Sequence, residues 1–357
     1  MAAIPGQKRK RPEDETQRQY ENNLFEMHMN HGSQCLLKGK YENAEAAYAE
    51  AVRLKSKDAV AHNNLGNARL QQEKWAEAEQ ALAKAVELKP QDADAHNNLG
   101  DARLQQEKWA EAEAAYAKAV ELKPEDAVAH INLGYVRLKQ KKWAEGEAAY
   151  AKAVQLKPQD AVAHNNLGYV RLRQKKWAEG EAAYAKAVEL MPEDAVAHNN
   201  LGFARLRQEK WAEAEAALAK AVELKPQDVD VHINLAVALK GQEKWAEAEA
   251  TFAKAVELDP EFARAHKILG YVRLKQKKWA EAEASLAKAV QLKSEDADTL
   301  FWLGDSLAEQ KKRKQAEEAY VKAVKKTSPE KIAERLCAGR VHENLEVKVE
   351  PNQDVVM

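Results

Sequence analysis

The chain has 357 residues, in which 56 Lys and Arg oppose 57 Asp and Glu, so the formal net charge is −1 at pH 7. A chain without a basic surplus is not expected to bind a nucleic-acid backbone or an anionic membrane surface through its overall charge. Its two cysteines, Cys35 and Cys337, are too few for a disulfide framework, and no apolar stretch is long enough to span a membrane. These features predict a cytoplasmic protein with neither nucleic acid nor membrane as its partner.

Residues 1–15 form a separate N-terminal segment. They contain Pro, Gly and a basic run and little that is apolar, which predicts a disordered tail. The basic run resembles a nuclear-import signal and comprises Lys8, Arg9, Lys10 and Arg11. A solubilising tail is the alternative, so a nuclear location stays open beside the cytoplasmic one.

A phrase of 34 residues repeats along most of the chain, and its first full copy reads AVAHNNLGNARLQQEKWAEAEQALAKAVELKPQD. Full copies without insertion or deletion begin at Ala59, Ala93, Ala127, Ala161, Ala195, Val229 and Ala263, and degenerate copies begin near Phe25 and at Ala297. Repetition at this period indicates an array in which each copy covers the apolar face of its neighbour. We predict about nine copies over residues 16–330, a capping helix at 331–339 and a flexible tail at 340–357.

Each copy has the pattern of two helices. Asp58 is placed to cap a first helix, in which Ala61 and Leu65 lie on one apolar face. A second helix is expected to begin near Trp75 and to end before Pro90, whose ring cannot continue a helix. The sequence therefore predicts an all-α fold built from helix-turn-helix units.

Small, apolar and helix-stopping residues recur at fixed places of the copy, and in the first full copy they are Leu65, Gly66, Ala78, Ala85 and Pro90. By these residues and by its period the chain resembles the tetratricopeptide repeat family. Two places depart from the family pattern, because His62 replaces its first large aromatic and Arg69 its usual tyrosine. The resemblance implies a right-handed superhelical solenoid whose first helices line the inside and hold extended peptides.

The sequence contains no motif for catalysis. A glycine-rich phosphate loop, a HExxH motif, paired CxxC motifs and a serine elbow are all missing, and the carboxylates recur once per copy instead of converging. We therefore expect a protein that is not an enzyme and that needs no cofactor and no metal.

Three further residue types recur once per copy. The histidines are His62, His96, His130, His164, His198, His232 and His266, and each lacks a second ligand one helical turn away, so we interpret them as packing residues. The arginines are Arg69, Arg103, Arg137, Arg171, Arg205 and Arg273, and we interpret them as structural, with heads that reach a carboxylate or water. The tryptophans that open the second helices, from Trp75 to Trp279, are expected in the core.

The other side of the first helix carries the candidate binding residues. With the first residue of each copy counted as place one, the sixth place holds Asn64, Asn98, Asn132, Asn166, Asn200 and Asn234. An amide side chain has both a donor and an acceptor, so a row of them can pair with the backbone of an extended peptide. The row resembles the one in the repeat half of O-linked N-acetylglucosamine transferase. The alternative is that each asparagine closes a helix contact inside its own copy.

Aromatic and apolar residues accompany the middle of this row. The ninth place holds Tyr135, Tyr169, Phe203 and Tyr271, and the fifth place adds Ile131 and Ile233. Asn67, Asp101 and Asp305 occupy the ninth place towards the two ends. We predict a groove with an apolar centre that takes the side chains of a bound peptide.

These features favour a scaffold or adaptor that binds a protein or peptide. A substrate-recruiting subunit of a separate enzyme is the main alternative, and a structural spacer is another. Docking of chaperone C-termini is disfavoured, because Tyr271 and Trp302 stand where the partners of Lys267 in a carboxylate clamp are needed. Basic residues at the helix turns, such as Lys139 and Arg173, are interpreted as solvated, and RNA binding would require them to adjoin the aromatic residues.

Overall fold

The computed structural model describes residues 12–293 and 296–328. Within these residues the chain forms eighteen α-helices and no strand. It divides into two compact units, of which unit 1 ends at Lys175 and unit 2 begins at Lys176. Among the described helices, none has both the length and the apolar character needed to cross a membrane.

Unit 1 contains the first nine helices. Their bounds are α1 Pro12–Leu37, α2 Tyr41–Leu54, α3 Ala59–Leu70, α4 Trp75–Leu88, α5 Ala93–Gln105, α6 Trp109–Leu122, α7 Ala127–Lys139, α8 Trp143–Leu156 and α9 Ala161–Arg173. Unit 2 contains α10 Trp177–Leu190, α11 Ala195–Leu206, α12 Trp211–Leu224, α13 Val229–Gly241, α14 Trp245–Leu258, α15 Ala263–Lys275, α16 Trp279–Gln291, α17 Ala297–Glu309 and α18 Arg313–Val324. The odd-numbered helices are the first helices of nine repeats, as predicted.

Each first helix from α3 onward begins where the sequence places a cap. The Asp58 carboxylate accepts a hydrogen bond from the Ala61 backbone N–H at 2.9 Å, and aspartates cap α5, α7, α9, α11, α13 and α17 in the same way. Such a cap satisfies a backbone donor that the helix itself leaves free. The exception is α15, where Phe262 precedes the helix and makes no side-chain cap.

The turn between the two helices of a repeat requires one left-handed residue. In the degenerate first repeat this residue is Gly39, with φ 69°. In the full repeats Glu or Lys occupies the same position, for example Glu73 with φ 58° and Lys141 with φ 60°. Side chains with a Cβ are disfavoured at positive φ, so the turns of the full repeats hold backbone strain that the first one lacks.

The core forms between successive repeats as well as within each one. The Tyr116 ring lies directly on the backbone of Gly100, where an added Cβ would come within 2.5 Å of the ring atom Cε1. One apolar cluster joins the second helix α6 to both helices of the next repeat and consists of Ala112, Tyr116, Leu133, Val136 and Ala149. This arrangement confirms the all-α tetratricopeptide-type solenoid expected from the sequence.

Two sequence expectations need correction. Helix α1 begins at Pro12, inside the segment 1–15 predicted to be disordered. Proline suits the first helical position, and Glu13, Asp14 and Glu15 favour a helix N-terminus. The tryptophans that open the second helices are half-buried rather than fully in the core. A cation of the next repeat lies over several of them; the Arg173 guanidinium, for example, lies 5.0 Å from the ring centre of Trp143. The basic run Lys8–Arg11, the predicted helix at 331–339 and the tail at 340–357 lie outside the described residues.

Candidate functional site

The first helices present the surface on which the candidate binding residues lie. In unit 1, α3 contacts α5 and α7 contacts α9, and in unit 2 α11 contacts α13 and α15 contacts α17. We call the surface formed by the second, fifth, sixth, ninth and thirteenth places of these helices the first-helix face, and describe it for each unit separately.

The sixth-place asparagines are linked to the fifth place of the preceding repeat. Asn98 Nδ2 donates to Asn63 Oδ1 at 3.0 Å, and Asn132 Nδ2 donates to Asn97 Oδ1 at 3.1 Å. In unit 2, Asn234 Nδ2 donates to Asn199 Oδ1 at 2.9 Å. The row therefore ties neighbouring repeats together, whereas the packing alternative placed its contacts inside each repeat. The fifth-place partners were missed, although they stand next to the row in the sequence.

Each amide pair keeps hydrogen-bonding groups for a ligand. An asparagine side chain has two donor hydrogens on its nitrogen and two acceptor sites on its oxygen. The Asn97–Asn132 bond uses the oxygen of the first residue and the nitrogen of the second, and among the described residues Asn97 Nδ2 and Asn132 Oδ1 have no protein partner. Both side chains are half-buried. A donor and an acceptor therefore lie side by side at the surface.

The same inter-repeat contact takes other forms in unit 2. Ile233 at the fifth place and Ile268 at the sixth belong to one apolar cluster, and the Lys267 Nζ lies 5.4 Å from the ring centre of Trp302. Ile233 is only 8% exposed, so its predicted place in the lining of a groove is wrong. An apolar fifth-place residue is buried here because the next repeat has an isoleucine instead of an amide at the sixth place.

The ninth-place aromatic residues are exposed on the first-helix face. In unit 1, Tyr135 and Tyr169 are each 39% exposed, and in unit 2 Phe203 is 41% exposed. Ile131 is half-buried beside them. Tyr271 differs in being half-buried, because its ring packs against Trp302 with 4.6 Å between the ring centres and 44° between the ring planes. Tyr135, Tyr169 and Phe203 therefore leave ring surface on this face that a partner can contact.

The polar residues of the ninth place have a structural partner. Tyr116 OH donates to Asp101 at 2.6 Å, Tyr320 OH donates to Asp305 at 2.9 Å, and Tyr48 OH pairs with Ser33 at 3.0 Å. Burial raises the pKa of Asp101 more than this hydrogen bond lowers it. In the repeat with Tyr135 at the ninth place, the buried OH of Tyr150 has no hydrogen-bond partner among the residues that the structure describes.

The recurring histidines face the turns before their own helices. His96 Nε2 lies 3.0 Å from the carbonyl oxygen of Pro90, and His130 and His164 make the same contact with Pro124 and Pro158 at 3.0 Å. These rings are buried. The contact with a backbone carbonyl supports the interpretation of the histidines as packing residues.

The recurring arginines belong to a network that joins each repeat to the next. The Glu113 carboxylate of one repeat accepts hydrogen bonds from Arg137 Nε at 3.0 Å, Gln140 Nε2 at 2.9 Å and Lys142 Nζ at 2.6 Å of the following repeat. Burial raises the pKa of Glu113, but the hydrogen bonds from Lys142, Arg137 and Gln140 outweigh it and hold the pKa below its usual value. The prediction that the arginines are structural is thus confirmed.

The central lysine of the carboxylate-clamp alternative, Lys267, already has partners within the chain. Lys267 Nζ pairs with Asp296 at 2.7 Å while it lies against the Trp302 ring, and its side chain is 19% exposed. A lysine held in this way is not available to a chaperone C-terminus.

Sequence models of the tetratricopeptide repeat match residues 36–93, 63–127, 97–161, 159–227, 205–270 and 273–331. The chain belongs to the tetratricopeptide repeat family. Members of this family bind protein partners, so the chain is, in coarse terms, a protein-interaction scaffold. Among curated proteins, no sequence matches this tetratricopeptide repeat protein significantly.

Solved structures of other tetratricopeptide repeat proteins are similar to it in fold. The C-terminal part of a TPR repeat-containing protein from Cytophaga hutchinsonii has a TM-score of 0.56 at 14% identity, over 66% of this chain and 97% of that one. PilF of Pseudomonas aeruginosa has a TM-score of 0.50 at 23% identity, over 57% of this chain and 92% of that one. The Cut9–Hcn1 hetero-tetramer of the APC/C gives 0.50 at 15% identity, over 81% of this chain and 59% of that one.

Proposed function

We propose that the chain is a non-enzymatic adaptor that binds an extended peptide segment of a partner along its first-helix face. The carrying observation is the combination of the Asn97–Asn132 amide pair, with its unused donor and acceptor, and the exposed Tyr135 ring on the same helices. The amides would hold the peptide backbone, and the rings would hold apolar side chains. The asparagine row resembles the one in O-linked N-acetylglucosamine transferase. This resemblance supports binding to the peptide backbone with little dependence on the peptide sequence.

The spacing of the repeats suits an extended ligand. Neighbouring packed helices lie about 9 Å apart. A polyproline II peptide advances about 9.3 Å in each turn of three residues, so every third side chain points the same way. One peptide turn then matches one repeat, and every third side chain meets a ninth-place ring.

Several such contacts are needed for useful affinity. An apolar side chain contributes about 1.5–3 kcal/mol when it becomes fully buried, and association with ordering of the peptide costs several kcal/mol. Tyr135 and Tyr169 supply two such sites within unit 1, and Phe203 supplies one within unit 2.

Selection of random twelve-residue peptides from a displayed library on the full chain tests the proposal. Selected peptides, labelled with fluorescein, are then titrated by anisotropy against the chain and the variant Y135A/Y169A/F203A. We expect the variant to bind at least about tenfold more weakly with an unchanged melting temperature, because these rings are exposed.

The matched control removes three exposed apolar side chains that lie off the first-helix face, in the variant Y20A/M191A/V321A, whose native residues are 63%, 47% and 42% exposed. This control should bind as the unmodified chain does. Failure to select any peptide, or equal loss of binding in both variants, would contradict the proposal.

Copurification tests the recruiting-subunit alternative, since a recruiting subunit brings one constant enzyme and an adaptor brings varied partners.

A further inference from the structure

Within unit 2, cations gather around one pair of aromatic rings on the first-helix face. Tyr271 and Trp302 pack against each other with 4.6 Å between their ring centres and an angle of 44° between the ring planes. Lys275 Nζ lies 5.6 Å and Lys240 Nζ 5.9 Å from the Tyr271 ring centre. Arg264 is close enough to affect the charge of Lys240. We call Lys240, Arg264 and Lys275 the unit 2 cation cluster.

Lys240 and Arg264 differ from the recurring cations of the repeats, whereas Lys275 holds the same place as Lys139, whose Nζ lies 5.9 Å from the Trp109 ring centre and 5.2 Å from the Tyr135 ring centre. Arg273 Nε, on the helix of Lys275, pairs with Glu249 at 2.9 Å, and Lys267 Nζ pairs with Asp296 at 2.7 Å. Within the part of the chain that the structure describes, the cluster cations have no carboxylate at ion-pair distance. Lys240 and Lys275 lie near the Tyr271 ring instead, and Arg264 lies near Lys240, so the cluster carries uncompensated positive charge.

The free-energy cost of this uncompensated charge is greatest at Lys240. Its side chain is half-buried, and burial lowers its pKa, with the nearby charge of Arg264 adding to the effect. A partly desolvated ammonium without a counter-ion is unfavourable, and a carboxylate brought by a ligand would remove the penalty. The cluster cations are also spread around the Tyr271 ring. This arrangement suits a ligand with separate single negative charges beside an apolar group better than a ligand with one compact dianion.

The flanking helices limit the kind of anion. Helix α17 carries Asp298, Asp305 and Glu309, and α13 carries Asp230. A continuous polyanion such as RNA would meet these acidic residues on both sides of the cluster. A peptide with one or two local carboxylates would not. RNA binding would require basic residues beside aromatic rings, and this cluster meets that requirement. The test below therefore includes an RNA ligand.

We propose that the unit 2 cation cluster binds an acidic segment of the partner peptide, with one or two Asp or Glu side chains held by Lys240 and Lys275 and a neighbouring apolar side chain on the Tyr271–Trp302 pair. This inference rests on the proposed peptide-binding function and names the chemistry of the segment that binds to unit 2.

Three fluorescein-labelled twelve-residue peptides test it. Each has Leu and Phe in a Gly/Ser background, and two adjacent variable positions hold Glu, Gln or Lys. Anisotropy titrations use the full chain and the variant K240Q/K275Q. We expect the Glu peptide to bind about tenfold more tightly than the Gln peptide, and the variant to remove this difference while it leaves the Gln peptide unchanged.

The matched control is K225Q/K254Q, which removes the same net charge from a loop and a second helix of unit 2. Equal weakening of the Glu peptide by both double variants would overturn the proposal, because long-range attraction alone would then explain it. Tighter binding of a labelled 12-nucleotide oligouridine than of the Glu peptide would assign the cluster to nucleic acid. A phosphoserine peptide that binds far more tightly than the Glu peptide would assign it to phosphate.

The two proposals fail in different ways. Equal binding of all three peptides, weakened by Y135A/Y169A/F203A, would leave peptide binding in place and overturn the charge preference. Absence of binding by every peptide would overturn both. Melting curves of each variant exclude unfolding as the cause, and K240Q/K275Q should melt no lower than the unmodified chain, since it removes the unfavourable half-buried charge of Lys240.

Discussion

Substitution of Glu113 by Gln tests the network that joins successive repeats. The carboxylate accepts three hydrogen bonds from the next repeat, of 3.0, 2.9 and 2.6 Å, and its side chain is 15% exposed. Gln keeps one acceptor oxygen but loses the charge and directs an amide N–H₂ at donors. Hydrogen bonds to charged groups contribute about 1.5–3 kcal/mol, and exposed ion pairs at most about 1 kcal/mol. For this largely buried carboxylate we expect E113Q to lower the free energy of unfolding by about 2 kcal/mol.

A control exists on the same helix. Glu121 also pairs with a lysine at 2.6 Å, but its side chain is 68% exposed. E121Q should cost less than about 0.5 kcal/mol. Denaturation of the full chain in urea, followed by circular dichroism, measures both. Equal losses in the two variants, or no loss in E113Q, would refute the argument that burial decides the strength of the pair.

The dependence on pH gives a second check. The pKa of Glu113 is below its usual value in the folded chain, so the carboxylate adds stability that is fully present above the unfolded pKa of about 4.3. This stability is lost as the pH falls through the folded pKa. The difference between the chain and E113Q should therefore be complete at neutral pH and shrink below about pH 4.3. A difference that stays constant down to pH 3 would contradict the assigned cause.

Three further predictions concern the repeats. N97I/N132I copies the apolar pair of unit 2, so it should keep the free energy of unfolding within about 1 kcal/mol while it weakens peptide binding in the anisotropy titration; a stability loss without a binding change would contradict this. E243G should raise the free energy of unfolding by about 0.5–1 kcal/mol in urea, because glycine accepts φ 58° without strain. Y150F should be neutral or stabilising, whereas Y116F should cost about 1–2 kcal/mol, because only Tyr116 OH has a partner; equal melting temperatures would refute it.

The period and the capping residues were enough to predict most of the fold. Asp58 and its equivalents, the stop before Pro90 and the apolar face of the first helix follow from local rules that act within one helix. The start of α1 was missed because composition outweighed the helix-starting signal of Pro12.

The candidate site was harder to predict, since its contacts cross between repeats. Asn98 bonds Asn63 across 35 positions, and Arg137 bonds Glu113 across 24. A pattern read within one copy shows that both residues recur, but not that they face each other. Ile233 was misplaced for the same reason, because its burial depends on Ile268 in the following copy.

The recurring glutamate network between repeats has an evolutionary consequence. Loss of residues 93–126 by unequal recombination would bring Glu79 opposite Arg137, Gln140 and Lys142, the same residue types that it now meets in Arg103, Gln106 and Lys108. Asn63 would likewise meet Asn132 in place of Asn98. The gene can therefore lose this unit without a mismatch at the new joint, so the length of the array can change in steps of one repeat.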